Sequence, residues 1–107
     1  MTTELPEPVK QSIDATNAGD LEAFLGTFTA DGAVDDWGRI FAGPGRITDW
    51  SNAEYIGKNM TLAVTSVDVG DESVTVIATV GGDGFNGPST FTYTLSGDKV
   101  SRMTIRE

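Results

Sequence analysis

The chain has 107 residues, 38% of them hydrophobic, with 16 acidic against 7 basic side chains and a net charge of −9. One domain of this size buries a single core, and its acidity disfavours phosphate backbones and anionic membrane surfaces, so neither nucleic acid nor membrane is an expected partner. It contains no His and no Cys, which removes imidazole bases, thiolate nucleophiles, disulfides and sulfur-rich metal sites and leaves carboxylates, hydroxyls and aromatics for any chemistry.

The N-terminal segment has no basic residue before Lys10 and no apolar run, so it does not read as a signal peptide, and no apolar stretch is long enough to span a membrane. A cytoplasmic location is the expectation. Pro6 and Pro8 mark a helix start, Val9 and Ile13 share a face, and Gly19 stops the helix. Asp20 then caps a second helix whose Leu21, Phe24, Leu25 and Phe28 follow the spacing of one buried face, ending in a turn at Asp31-Gly32.

Residues 33–36 and 39–42 read as short strands joined by a two-residue Trp37-Gly38 turn. Gly43-Pro44 opens a third helix with Ile47 and Trp50 inward and Gly57 closing it. Strands follow at 59–69, 73–82, 90–95 and 100–106, with turns at Gly70-Asp71, at a Gly/Asp/Asn-rich loop over 81–88, and at Gly97-Asp98. Helices first and long antiparallel strands after predict an α+β fold in one domain spanning 1–107. In the strand at 90–95, Phe91, Tyr93 and Leu95 alternate with Thr90, Thr92 and Thr94. The threonine face is either solvated or a flat contact surface for another subunit.

Asp35 and Asp36 are strand neighbours, so their side chains leave on opposite faces and they do not form a paired-carboxylate dyad. With Trp37-Gly38 as the turn, Asp36 lies across from Arg39 and Val34 across from Phe41, which puts Asp36 on the apolar face. Three roles stay open for it: an ion pair with Arg39 at the hairpin mouth, a polar contact to a bound molecule, or a general base with a carboxyl raised by aromatic walls. Trp50 and Tyr55 are either core or pocket wall, and Tyr93 either a structural hydroxyl or a donor inside the fold. The loop at 81–88 lacks the Lys and the following helix of a phosphate loop and the spacing of an EF-hand, so metal binding is disfavoured. It reads as a rim with Phe85 as a candidate lid.

The order of Asn17-Ala18-Gly19-Asp20-Leu21-Glu22, then Phe28 through Asp36, then Gly43-Pro44 to Trp50, then Gly97-Asp98-Lys99-Val100 resembles the nuclear transport factor 2-like superfamily, and within it the small SnoaL-like, ketosteroid isomerase-like proteins. The resemblance implies a cone: a curved sheet wrapped around three helices in the N-terminal half, with a pocket at one end and homodimers formed through the sheet. It aligns Asp36 with the general-base aspartate of ketosteroid isomerase. The isomerase's oxyanion tyrosine falls on Ser12 and its second acid on Phe91, so ketosteroid isomerisation itself is not expected. The superfamily spans enzymes and non-enzymes, so fold alone does not decide the activity.

The expected function is binding of a small hydrophobic molecule, with cofactor-independent isomerase, cyclase or hydrolase chemistry at Asp36. Trp37, Trp50, Tyr55, Phe91 and Tyr93 would contact the ligand. The alternative is a non-catalytic ligand-binding or assembly module with a closed pocket.

Overall fold

A computed structural model describes residues 5–106. Helix α1, Glu7–Ala18, starts on Pro6 and turns Val9, Ser12, Ile13 and Thr16 inward. It ends at Gly19, whose φ of 69° is left-handed; Gly19 N–H donates to the Thr16 carbonyl and Asp20 N–H to that of Ala15, the paired bonds of a Schellman stop. Asp20 then accepts from Ala23 N–H at 3.1 Å and opens α2, Leu21–Gly26.

The second helix is shorter than its apolar spacing predicts. Phe28 begins strand β1, Phe28–Asp36, rather than closing α2, and Asp31-Gly32 lies inside that strand. The cause is a partner from the far end of the chain. The Thr27 hydroxyl donates to the Phe24 carbonyl and ends the helix, while Val100 N–H donates to the Thr27 carbonyl and draws the next residue into a parallel ladder. Phe28 still packs edge-on against Phe24, at 5.2 Å between ring centroids, so the apolar period is kept without the helix. The ladder shifts register between Phe28 and Ala33.

Trp37 and Gly38 both have positive φ, 54° and 89°, the backbone of a tight hairpin turn into β2, Arg39–Ala42. The register pairs Val34 with Phe41 and Asp36 with Arg39, as the alternation predicts. Helix α3, Pro44–Glu54, stops before Gly57; a single 3-10 turn at Ile56–Lys58 follows. Gly57 serves close approach, since a Cβ there would stand 1.8 Å from the Asn52 carbonyl oxygen.

Strands β3 (Thr61–Val69), β4 (Ser73–Gly81), β5 (Gly87–Ser96) and β6 (Lys99–Arg106) complete a six-stranded sheet of order β2-β1-β6-β5-β4-β3. The β1–β6 pair is parallel and its neighbours are antiparallel, so the sheet is mixed. Register shifts in β1–β6, β3–β4 and β5–β6 mark irregularities of the kind that bend strands and curl a sheet. The concave face supplies Val74, Val76, Ala78, Val80, Phe91, Tyr93 and Met103 to a core closed by Val9, Ile13, Phe24 and Ile47 from the helices. This is the α+β cone. No helix among the described residues is long and apolar enough to cross a membrane.

Candidate functional site

Asp36 is the last residue of β1. It aligns with Ile105 on β6, which aligns in turn with Phe91 on β5, so the three side chains form one row across the concave face. Its carboxylate is mostly covered, with 14% of the side chain exposed. Both hydrogen bonds reach one oxygen: Trp50 Nε1–H donates to Oδ2 at 3.0 Å and Arg39 Nη2 donates to the same oxygen at 2.5 Å. Oδ1 has no hydrogen-bond partner among the described residues.

Arg39 is shared. It also donates to both oxygens of Glu54, at 3.0 and 2.7 Å, and its guanidinium lies 5.5 Å from the centroid of the Phe41 ring. The Arg39 guanidinium holds the Glu54 carboxyl below the usual carboxylate range. The expected Asp36–Arg39 pair therefore forms as part of an Asp36–Arg39–Glu54 strap, and Glu54, on the last turn of α3, is a member that sequence alone did not single out. Its i, i+4 relation to Trp50 on the same helix was the available signal.

Beside this strap opens a cavity of about 400 Å3. Asp36, Trp37, Trp50, Tyr55 and Phe91 all line it. Its deep part adds Val80, Ser89 and Ile105, all buried, and its mouth adds Lys58 and Phe85. Trp50 and Tyr55 stack at 4.7 Å between centroids, which makes one wall a continuous aromatic surface. Trp37, on the left-handed hairpin turn, is 59% exposed, and Phe85, from the 81–88 loop, is 48% exposed. The asparagine of the 3-10 turn's end ties that loop down: Asn59 Nδ2 donates to Asp83 Oδ2 at 2.7 Å, and Asp83 N–H donates to the Lys58 carbonyl at 2.8 Å.

Tyr93 does not join this group. Its ring is fully buried in the core and is not among the cavity walls. Its hydroxyl and that of Ser12 are enclosed without hydrogen-bond geometry to any described residue. Burial pushes the Tyr93 phenol well above its ordinary range, with the nearby Tyr55 adding to the shift and the neighbouring Ser12 hydroxyl, close by but outside hydrogen-bond geometry, opposing it. The alternation that puts Tyr93 on the face of Phe91 is right, but two residues along β5 carry it past the cavity into the helix-packed part of the cone. Tyr55 lines the cavity with its ring, while its hydroxyl meets Thr16 on α1 at 3.1 Å. Burial raises its phenol too. A tyrosine donor is thus poorly presented to a bound molecule.

Asp35 points the opposite way, as strand geometry requires. It accepts from Gly38 N–H at 2.8 Å, from Arg106 Nη1 at 3.1 Å and Nη2 at 3.3 Å, and lies 3.7 Å from Arg102 Nη1. The Arg106 hydrogen bonds, then the Gly38 amide and Arg102, hold its carboxyl below the usual range. It anchors the outer face of the sheet and the hairpin turn, away from the cavity. Among the described residues no group of three or more carboxylates is arranged to hold a metal ion.

No family model matches the chain, and no curated protein matches it significantly. Solved structures do. A polyketide-cyclase candidate from Sinorhizobium meliloti is 26% identical, with 95% of each chain covered and a TM-score of 0.87. A ketosteroid isomerase-like protein from Catenulispora acidiphila, solved in complex with trimethylamine, is 23% identical over 97% of this chain and 87% of that one, with a TM-score of 0.82. A protein of unknown function from Cytophaga hutchinsonii, described as NTF2-like, is 14% identical over 98% and 92%, with a TM-score of 0.81.

Proposed function

We propose that this chain, a SnoaL-like member of the nuclear transport factor 2-like superfamily, takes a small, largely apolar molecule into the cone and orients it on Asp36. One observation carries the reading. The Asp36 carboxylate lines the cavity with one oxygen held by Trp50 and Arg39 and the other, Oδ1, unpaired among the described residues. An acceptor held by a buried indole and left with a free oxygen is suited to an O–H, N–H or acidic C–H of a bound molecule. The cavity volume of about 400 Å3 lies within the range of small-molecule sites.

The finer reading is cofactor-independent proton transfer of the isomerase, cyclase or hydrolase type, with Asp36 as the base and the ligand's acidic C–H at Oδ1. The polyketide-cyclase candidate and the trimethylamine-bound relative support a ligand-holding cone. The second reading, a non-catalytic module, draws its support from the Asp36–Arg39–Glu54 strap, which employs the carboxylate structurally.

An Asp36→Asn variant separates these roles. Asparagine keeps an oxygen for Trp50 and loses the carboxylate, so the fold persists by circular dichroism. Calorimetric titration with 2-naphthol, an apolar ring with one hydroxyl donor, is expected to weaken about tenfold in the variant. Equal affinity in both proteins removes Asp36 from ligand contact, and no binding to the wild type removes the ligand-binding reading.

A further inference from the structure

Ser89 is a polar side chain on the cavity wall that has no structural employment. It lies on β5 two residues from Phe91, so both point to the concave face, and it is only 6% exposed. Its ladder neighbour is Ala78 on β4, a small side chain that leaves room above it. The Ser89 hydroxyl has no hydrogen-bond partner among the described residues. It also differs from the hydroxyls of Ser12 and Tyr93, which are sealed away from any space; Ser89 is on the cavity surface. The hydroxyl is open to the cavity and takes no partner from the described residues, so on a wall lined otherwise by Phe91, Val80 and Ile105 it presents a polar group to whatever the cavity holds.

The sheet register sets its distance from Asp36. Asp36 and Phe91 are two strand spacings apart through Ile105, about 9–10 Å, and Ser89 stands a further 6–7 Å or so along β5, toward the hairpin end of β1. Side chains converging from a concave face shorten that span. Two fused six-membered rings with an oxygen at each end have the matching reach, and the stacked Trp50–Tyr55 wall offers a flat surface for them.

Resting on the reading of this cavity as a ligand site, we infer that Ser89 is its second polar anchor, and that the ligand class is a flat, bicyclic-sized molecule with oxygen functions at opposite ends. The Ser89 hydroxyl donates to a carbonyl oxygen at one end, and Asp36 Oδ1 accepts from a hydroxyl at the other. Ser89 is a binding residue here and takes no part in bond making.

The test is calorimetric titration of the wild type, Ser89→Ala and Ser89→Thr with 2-naphthol and with 6-acetyl-2-naphthol. The wild type is expected to bind the acetyl compound about five- to tenfold more tightly than 2-naphthol, the worth of one well-placed neutral hydrogen bond. Ser89→Ala is expected to erase that preference while leaving 2-naphthol affinity unchanged, and Ser89→Thr, which keeps the hydroxyl, to retain it. If both compounds bind but Ser89→Ala leaves their ratio intact, Ser89 is not an anchor although the cavity still binds ligands. If neither compound binds the wild type, the cavity reading falls and the Ser89 assignment with it.

Discussion

Trp50→Phe tests whether the indole is what holds Asp36 in place. Trp50 is 3% exposed, stacks on Tyr55 and donates its ring N–H to Asp36 Oδ2 at 3.0 Å. Phenylalanine keeps the apolar wall but removes roughly 40 Å3 of side chain, worth about 1 kcal/mol at about 24 cal/mol per Å3 of cavity. The lost hydrogen bond to a carboxylate adds about 1–2 kcal/mol, set at the low end because Arg39 still pairs that oxygen. The sum is about 2–3 kcal/mol, and for a domain of 107 residues it corresponds to a fall in Tm of about 10–15 °C. Urea denaturation followed by far-ultraviolet circular dichroism reads the stability. A double-mutant cycle with Asp36→Ala isolates the contact, with an expected coupling of about 1–2 kcal/mol. A coupling indistinguishable from zero would refute the reasoning, because the indole would then be filling space rather than fixing the carboxylate.

Stability is expected to fall with acid through Asp35. Its folded carboxyl is held below its unfolded value by Arg106, so its contribution is fully present above the unfolded value, near pH 4, and is lost as pH falls through the folded one. Glu54 acts in the same direction through Arg39. Urea midpoints at pH 6, 4 and 3 should therefore drop less steeply in Arg106→Met than in the wild type; parallel profiles would exclude Asp35 as the acid-sensitive group. Trp37→Asn should raise stability by about 0.5–1 kcal/mol, since asparagine accepts the left-handed φ of 54° more readily than tryptophan, while weakening 2-naphthol binding at the mouth. A variant that gains stability and keeps full affinity would show that Trp37 is not a ligand contact. For assembly, the expectation is a homodimer through the outer sheet face, where Thr75, Thr92 and Thr104 align in one row beside Ile77, 41% exposed. Light scattering at micromolar concentration should give twice the chain mass for the wild type and a single chain mass for Ile77→Glu; a monomeric wild type would end this proposal.

Much of the fold was legible because its signals are local. Gly19 and Asp20 announce a helix stop and a helix cap within two residues, and Trp37-Gly38 between alternating runs announces a hairpin and its register, which then sends Asp35 and Asp36 to opposite faces. The same period arguments failed at Phe28. The i, i+3, i+4, i+7 spacing is real, yet the parallel ladder with Val100 outweighs the last turn of a short helix, and no local pattern contains that partner. At the site, Asp36, Trp37, Trp50, Tyr55 and Phe91 are candidates named from the sequence, whereas Glu54, signalled only by its spacing from Trp50, and Ser89 are not.

What the sequence determined by itself is the order of helices and strands, the alternation of faces along each strand and the lack of His and Cys side chains, because these depend on dihedral preference, periodicity and composition. What only the tertiary structure decided is which of two inward tyrosine rings reaches the cavity, that Arg39 is shared between Asp36 and Glu54, and that Asp36 Oδ1 is left open. Those depend on where the curvature of the sheet brings β1, β5 and α3 together, and that convergence belongs to the whole chain rather than to any segment of it.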